Sequence, residues 1–403
     1  MRSVVTGLGV VAPTGVGAEE YWTRTLQGVS GIGPISRFDA SPYPVRLAGE
    51  VRDLDVTDRL SGRILSQTDR LTQIALVAAD LALADAGLDT RRLDPYDIGV
   101  VTANSVGGFE FGQHELSNLW ANGPEYVSAY QSFAWFYAVN TGQISIRHGI
   151  RGPNGVIVAE QAGGLDAVGQ ARRHVGHGTR AVVSGGVEAP LCPWSLAAHL
   201  PSGRLSREED PASAYRPFTR GAPGHVLGEG GAILLVEDAN SAWERGVPHV
   251  YGEVAGHCST FDPPPSAGRG PRLEAAMRGA IADAGLDPAD VDVVFADAAG
   301  VPELDLAEAR AVTAIFGPRG VPVTAPKTMV GRLNAGGGAL DLAAALLCVR
   351  DGLIPPTVNV DGPAGEYDID LVTRARPASV GTALVCARGY GGFNSAMVVR
   401  EFR

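Results

Sequence analysis

The six residues Ala84-Asp85-Ala86-Gly87-Leu88-Asp89 return unchanged as Ala282-Asp283-Ala284-Gly285-Leu286-Asp287. Each copy closes an apolar pattern with helical spacing: Leu71, Ile74, Val77, Ala78 and Leu81 before the first, Leu273, Ala276, Met277 and Ile281 before the second. The glycine of each copy is placed to end its helix. An acidic loop and a β-branched strand follow both times, at 97–101 and 291–295. A second echo lies further on, where strand 155–159 leads into Ala162-Gly163-Gly164-Leu165-Asp166 and strand 321–325 into Gly336-Gly337-Gly338-Ala339-Leu340-Asp341. Two matches in one order imply an internal duplication. Strands alternating with helices in each half predict parallel-rich sheets covered by helices. The halves meet near 238–249, giving 1–240 and 241–403. The run from Phe261 to Gly268 reads as a surface loop.

The chain has 403 residues, 45% of them hydrophobic, enough for a sizeable core. A net charge of -11 argues against nucleic acid or an anionic membrane as a main partner. The N-terminal segment lacks a signal-peptide core and no stretch is apolar enough to span a bilayer, so the expected location is cytoplasmic. The cysteines, Cys192, Cys258, Cys348 and Cys386, form no CxxC pair, so no metal is expected.

The run Val156-Ile157-Val158-Ala159-Glu160-Gln161-Ala162-Gly163-Gly164 reads as a strand, an elbow and a helix start. A side chain at such an elbow sits at the positive end of the helix dipole, where a nucleophile would gain most. Gln161 occupies it, with a neutral amide that cannot attack.

Further segments carry a family resemblance: Val4-Val5-Thr6-Gly7-Leu8-Gly9-Val10-Val11-Ala12-Pro13, Arg151-Gly152-Pro153-Asn154, Arg216-Pro217-Phe218, Gly228-Glu229-Gly230-Gly231 and Gly391-Gly392-Phe393-Asn394-Ser395. The whole chain resembles the β-ketoacyl synthases. The segments from Phe133 to Gln143 and from Ala159 to Gly164 are similar to the chain length factors (ketosynthase β subunits) of aromatic type II polyketide synthases. The resemblance implies a thiolase-like α/β fold, with two duplicated βαβαβαββ halves in a five-layered α-β-α-β-α arrangement.

A condensing ketosynthase uses a Cys nucleophile and two His. Those positions are Gln161, Ala299 in Asp297-Ala298-Ala299-Gly300-Val301, and Arg332 in Met329-Val330-Gly331-Arg332. Alanine moves no proton and arginine is a fixed cation, so no independent catalysis is expected. The resemblance implies that Lys327, the chain's sole lysine, and Glu308 persist as the family's buried charge and its acidic partner, with Arg332 joining them. Gly392 and Phe393 match its gate segment.

These losses imply a subunit that pairs with a Cys-bearing ketosynthase α, completes its polyketide tunnel and sets the length of an aromatic poly-β-ketone. No cofactor is expected; acyl chains would arrive on the phosphopantetheine arm of an acyl carrier protein. Phe109, Gly112 and Leu116, on one helical face, and Trp194 are the expected lining. Glycine at 112 argues for a roomy cavity and a long, decaketide-like product. Phe133, Trp135, Phe136 and Tyr137 are assigned to the interface between subunits. Arg172 and Arg173 are candidates for meeting an acidic carrier.

Rival readings are a malonyl-carrier decarboxylase working through Gln161, a condensing enzyme using Cys192, and a scaffold with no influence on product. The histidines (His114, His148, His174, His177, His199, His225, His249 and His257) lie in other segments than the two lost ones.

Overall fold

The computed structural model describes residues 2–264, 266 and 270–403. The duplication is visible as one strand pattern drawn twice. In the N-terminal half, strands Ser3–Ala12, Gly230–Asp238, Ala181–Glu188, Ile98–Ala103 and Asn154–Ile157 lie side by side in that order. The first two neighbouring pairs are antiparallel and the last two parallel, so the sheets are mixed rather than parallel-rich as the alternation of strands and helices predicts. In the C-terminal half, Gly252–Phe261, Phe393–Arg400, Thr382–Gly389, Val293–Phe295 and Pro322–Thr324 repeat the order and the senses. The two arrays join where Val4 pairs with Glu253 and Val5 with Gly252.

Side-chain alternation along the strands sorts the apolar residues into layers. On Gly230–Asp238, Ala232, Leu234 and Val236 face inward while Ile233 and Leu235 face helix Arg70–Asp85. On Thr382–Gly389, Ala383, Val385 and Ala387 face inward while Leu384 and Cys386 face helices Leu273–Asp283 and Pro302–Phe316. Helices Gly163–Gly176 and Ala335–Asp351 fill the space between the sheets. The result is five layers, α-β-α-β-α.

The middle layer is thin because its helices are built from small residues. Fourteen consecutive residues of the second, Ala335 to Cys348, are buried. A Cβ at Gly164 would stand 2.6 Å from the Ala335 carbonyl oxygen, so the two central helices meet backbone to backbone.

Gly87 and Gly285 end their helices in the left-handed region, with φ 61° and 68°, as the repeat predicts. The strand expected at 155–159 stops at Ile157, which frees Val158 and Ala159 to enter the elbow. Of the loop expected from Phe261 to Gly268, Phe261 instead ends a strand, and Pro265, Ala267 and Gly268 lie outside the described residues. Among the described residues, no helix is long and apolar enough to cross a membrane.

Candidate functional site

Strand Asn154–Ile157 and the helix starting at Gly163 are joined by a tight turn, Glu160–Ala162. Glu160 takes the left-handed conformation, φ 49°, which is costly for a residue with a Cβ and marks a strained elbow. Gln161 at its centre is fully buried, and neither its Oε1 nor its Nε2 has a hydrogen-bond partner. Gly337, in the first turn of helix Ala335–Asp351, presses on this amide; a Cβ there would lie 2.2 Å from Nε2.

A cavity of about 610 Å³ opens beside the elbow. Glu160, Ala299, Arg332, Asn334, Arg388 and the segment 389–393 line it; Gln161 does not. The nucleophile position is therefore closed off by protein, and its neighbour Glu160 faces the space instead.

Arg332 fills the floor of this cavity. Its guanidinium lies 3.2 Å from Asp297 Oδ1 and 3.6 Å from Glu160 Oε1, and it donates to the Arg388 carbonyl. Burial alone would raise the Asp297 pKa; Arg332 and Lys327 overcome it and hold this carboxylate below the usual range. Glu160 also accepts the Tyr390 N–H at 2.7 Å, tying the elbow to the glycine-rich segment. In that segment Gly391 and Gly392 have φ 93° and 113°, and Phe393 packs edge-on against Phe261 at 5.0 Å.

Lys327 is fully enclosed, as a preserved charge should be, but Glu308 is not its partner. Lys327 Nζ lies 2.6 Å from Asp341 and donates to the Ala296 carbonyl at 2.5 Å. The Glu308 oxygens accept the Asp297 and Ala298 N–H groups at 2.7 and 2.8 Å. Burial, helped by the Asp297 charge, lifts Glu308 to about 7. Helix Ala335–Asp351 buries an acid at Asp341, and the cation goes to it.

Not every histidine lies apart from the lost ones. His225 and His199 both line the cavity, and His225 Nδ1 sits 3.2 Å from the Ala299 carbonyl. Burial, and then the Arg332 charge, push His225 down to about 3, so it is neutral. The position three residues before the Gly228-Glu229-Gly230-Gly231 marker was the available signal.

The expected tunnel residues come together on helix Phe109–Asn122 and helix Pro193–His199. Trp194 stacks on Phe109 with centroids 4.6 Å apart and planes 11° apart. Trp194 Cζ3 stands 3.1 Å from the point where a Gly112 side chain would begin. The space that glycine leaves is taken by this indole, which corrects the expectation of a roomy cavity there. Phe109 lines the 610 Å³ cavity; Gly112, Leu116 and Trp194 do not.

Trp135, Phe136 and Tyr137 are 43%, 40% and 37% exposed, an unusual outlay of aromatic surface, while Phe133 is half-buried against Tyr130. Cys192 is buried, its Sγ accepts the Ser195 N–H, and burial pushes its thiol to about 11, which makes it a poor nucleophile. Arg172 is already engaged, by Asp283 at 2.6 Å and the Ala255 carbonyl at 2.9 Å.

Comparison with known proteins places this arrangement. Residues 2–242 match the Beta-ketoacyl synthase, N-terminal domain, and residues 251–361 match the Beta-ketoacyl synthase, C-terminal domain. The chain is 60% identical over 400 residues to the tetracenomycin polyketide synthase ketoacyl synthase beta subunit of Streptomyces glaucescens, covering 99% of this chain and 98% of that one. Among solved structures, the ishigamide ketosynthase/chain length factor superposes with a TM-score of 0.91 at 26% identity, covering 100% of this chain and 99% of the other. A type II PKS acyl-carrier protein in complex with its ketosynthase bound to the hexaketide gives 0.89 at 28% identity, with the same coverage.

Proposed function

Because this chain belongs to the β-ketoacyl synthase family, within its ketosynthase β or chain length factor branch, we propose that it is the non-condensing half of a type II polyketide synthase. In this reading it pairs with a Cys-bearing ketosynthase α through the exposed aromatic surface around Trp135, Phe136 and Tyr137. It completes the tunnel in which a poly-β-ketone grows on a carrier protein's phosphopantetheine arm. Phe109, Gly112, Leu116 and Trp194 set how far that chain extends. The cofactor requirement is nil, because the carrier supplies the thioester.

The observation that carries this reading is Arg332. A cation held between Asp297 and Glu160 stands where a neutral imidazole would be needed, beside Ala299, which offers no side-chain donor at all. An enolate formed here would lack its paired histidine donors. The same loss weighs against decarboxylation through Gln161, whose amide does not face the cavity.

The test is reconstitution. The isolated chain, given malonyl-loaded carrier protein, forms no carbon–carbon bond; with a ketosynthase α it co-purifies and poly-β-ketone appears. Elongation by the isolated chain would overturn the reading.

A further inference from the structure

Helix Phe109–Asn122 carries the proposed length-setting face, yet it has no cap of its own: its N-cap is Gly108. The free N–H groups of a first turn need acceptors. Phe111 N–H donates to Asp69 Oδ2 at 2.8 Å. The other oxygen of Asp69 accepts the Leu71 N–H at 2.8 Å and caps helix Arg70–Asp85. One carboxylate therefore caps two helices. Asp69 is only 3% exposed, and a Cβ at Gly108 would stand 2.9 Å from Asp69 Cβ, so the junction is close-packed. Helix Arg70–Asp85 is fixed to the N-terminal sheet by Leu71, Ile74, Leu76 and Val77. Asp69 thus sets the position of the second helix against the rigid framework of the first.

One turn along, Gln113 Oε1 accepts the backbone N–H of Trp194 at 2.6 Å. This bond joins helix Phe109–Asn122 to the first turn of helix Pro193–His199, whose Trp194 indole stacks on Phe109 and abuts Gly112.

We infer that Asp69 and Gln113 are positioning residues for product length: one carboxylate bridging two helix N-termini and one amide holding the Trp194 backbone fix the Phe109–Gly112–Trp194 wall, which reaches the cavity through Phe109, although neither residue lines the cavity itself. The inference rests on the reading that this wall measures the chain. Asp69→Asn keeps the shape but leaves one acceptor for two N–H donors. Gln113→Ala leaves the Trp194 backbone N–H without its acceptor.

The experiment uses the full chain co-purified with a ketosynthase α and supplied with malonyl-loaded carrier protein; mass spectrometry reads the ratio of shorter to longer products. Each variant is expected to shift that ratio about fivefold, the factor that corresponds to one hydrogen bond of about 1 kcal/mol. Gly112→Trp runs beside them. If it moves the ratio and neither variant does, the positioning inference is overturned while the length-setting wall stands. If Gly112→Trp leaves the ratio unmoved, the wall does not measure the chain and the inference falls with it. A drop in total turnover at constant ratio marks a structural role alone and also overturns it. Should Asp69→Asn yield no heterodimer, Gln113→Ala, at a half-buried residue, decides the matter.

Discussion

Lys327 Nζ and the Asp341 carboxylate lie 2.6 Å apart, both within the protein interior. Asp297 and Glu160 add acids to the cluster and Arg332 a second cation. Two cations thus sit among three acids in a place that lacks the family's Cys and both His. Their contacts tie together segments 296–299 and 325–332 and helix Ala335–Asp351.

Removing one charge exposes this. Lys327→Met leaves Asp341 buried without its cation and should cost about 3–5 kcal/mol of folding stability. Lys327→Met combined with Asp341→Leu should recover most of that loss, because a paired apolar replacement leaves no lone charge. Urea denaturation of the four proteins of this double-mutant cycle gives the coupling directly. A double mutant no more stable than Lys327→Met would show that the pair is not the unit.

Glu188 makes a separate prediction about pH. It is fully buried; its Oε1 accepts from Ser105 and Val106, and its Oε2 has no partner. Burial pushes its pKa up to about 8. A carboxyl raised in the folded state binds more protons folded than unfolded, so its contribution to stability is fully present at low pH. It is lost as pH rises from the ordinary carboxylate range towards 8. Glu188→Gln can keep the accepting oxygen in place and remove the charge. It should flatten the fall in stability between about pH 5 and 8 and stabilise the protein at pH 8 by on the order of a few kcal/mol. Thermal unfolding at several pH values, mutant against parent, checks the slope; parallel curves would refute it.

Crowding, more than composition, governs the wall at Gly112. A side chain there meets Trp194 Cζ3 at 3.1 Å. Gly112→Phe should therefore push the indole aside, cost about 1–3 kcal/mol through overpacking, and shorten the polyketide. Adding Trp194→Ala should relieve the strain and restore longer products. Product length in the reconstituted synthase, read for the single and double variants, decides between crowding and a loss of folding.

The duplication was legible from the repeat, because two copies of Ala-Asp-Ala-Gly-Leu-Asp stand at equivalent helix ends, but the five layers followed from the family resemblance and the antiparallel pairs in each half from neither. The repeat also held the partner of Lys327. Asp341 is the counterpart of Asp166, which pairs with His257 at 3.1 Å, so both central helices carry an acid at the same place. Assigning the lysine to Glu308 by family motif passed over that symmetry. Other site facts depend on contacts between segments far apart in sequence. His225 reaches Ala299 across 74 residues and Trp194 reaches Phe109 across 85, and no local pattern encodes either meeting. The glycine at 112 gave a correct volume at its own position and said nothing of the indole that fills it.

Gln161 supplies the last prediction. Its amide is enclosed with both polar atoms unpartnered, a state that costs roughly 1–3 kcal/mol. Gln161→Met, similar in volume and apolar, should stabilise the chain by part of that amount. Gln161→Cys places a thiol at the elbow and yet should stay unacylated when offered acyl-loaded carrier protein, since Gln161 is shut off from the cavity and Ala299 and Arg332 provide no imidazole. Adding Ala299→His and Arg332→His supplies the rings but takes the cation from Glu160 and leaves Asp297 without its nearest one. The triple variant should lose stability before it gains chemistry, by about 3–5 kcal/mol as for any buried pair broken on one side. Intact-mass measurement of thioester on residue 161 and denaturation of the same samples read both outcomes. Acylation of the single Gln161→Cys variant would mean that this elbow is open and that only the nucleophile had been lost.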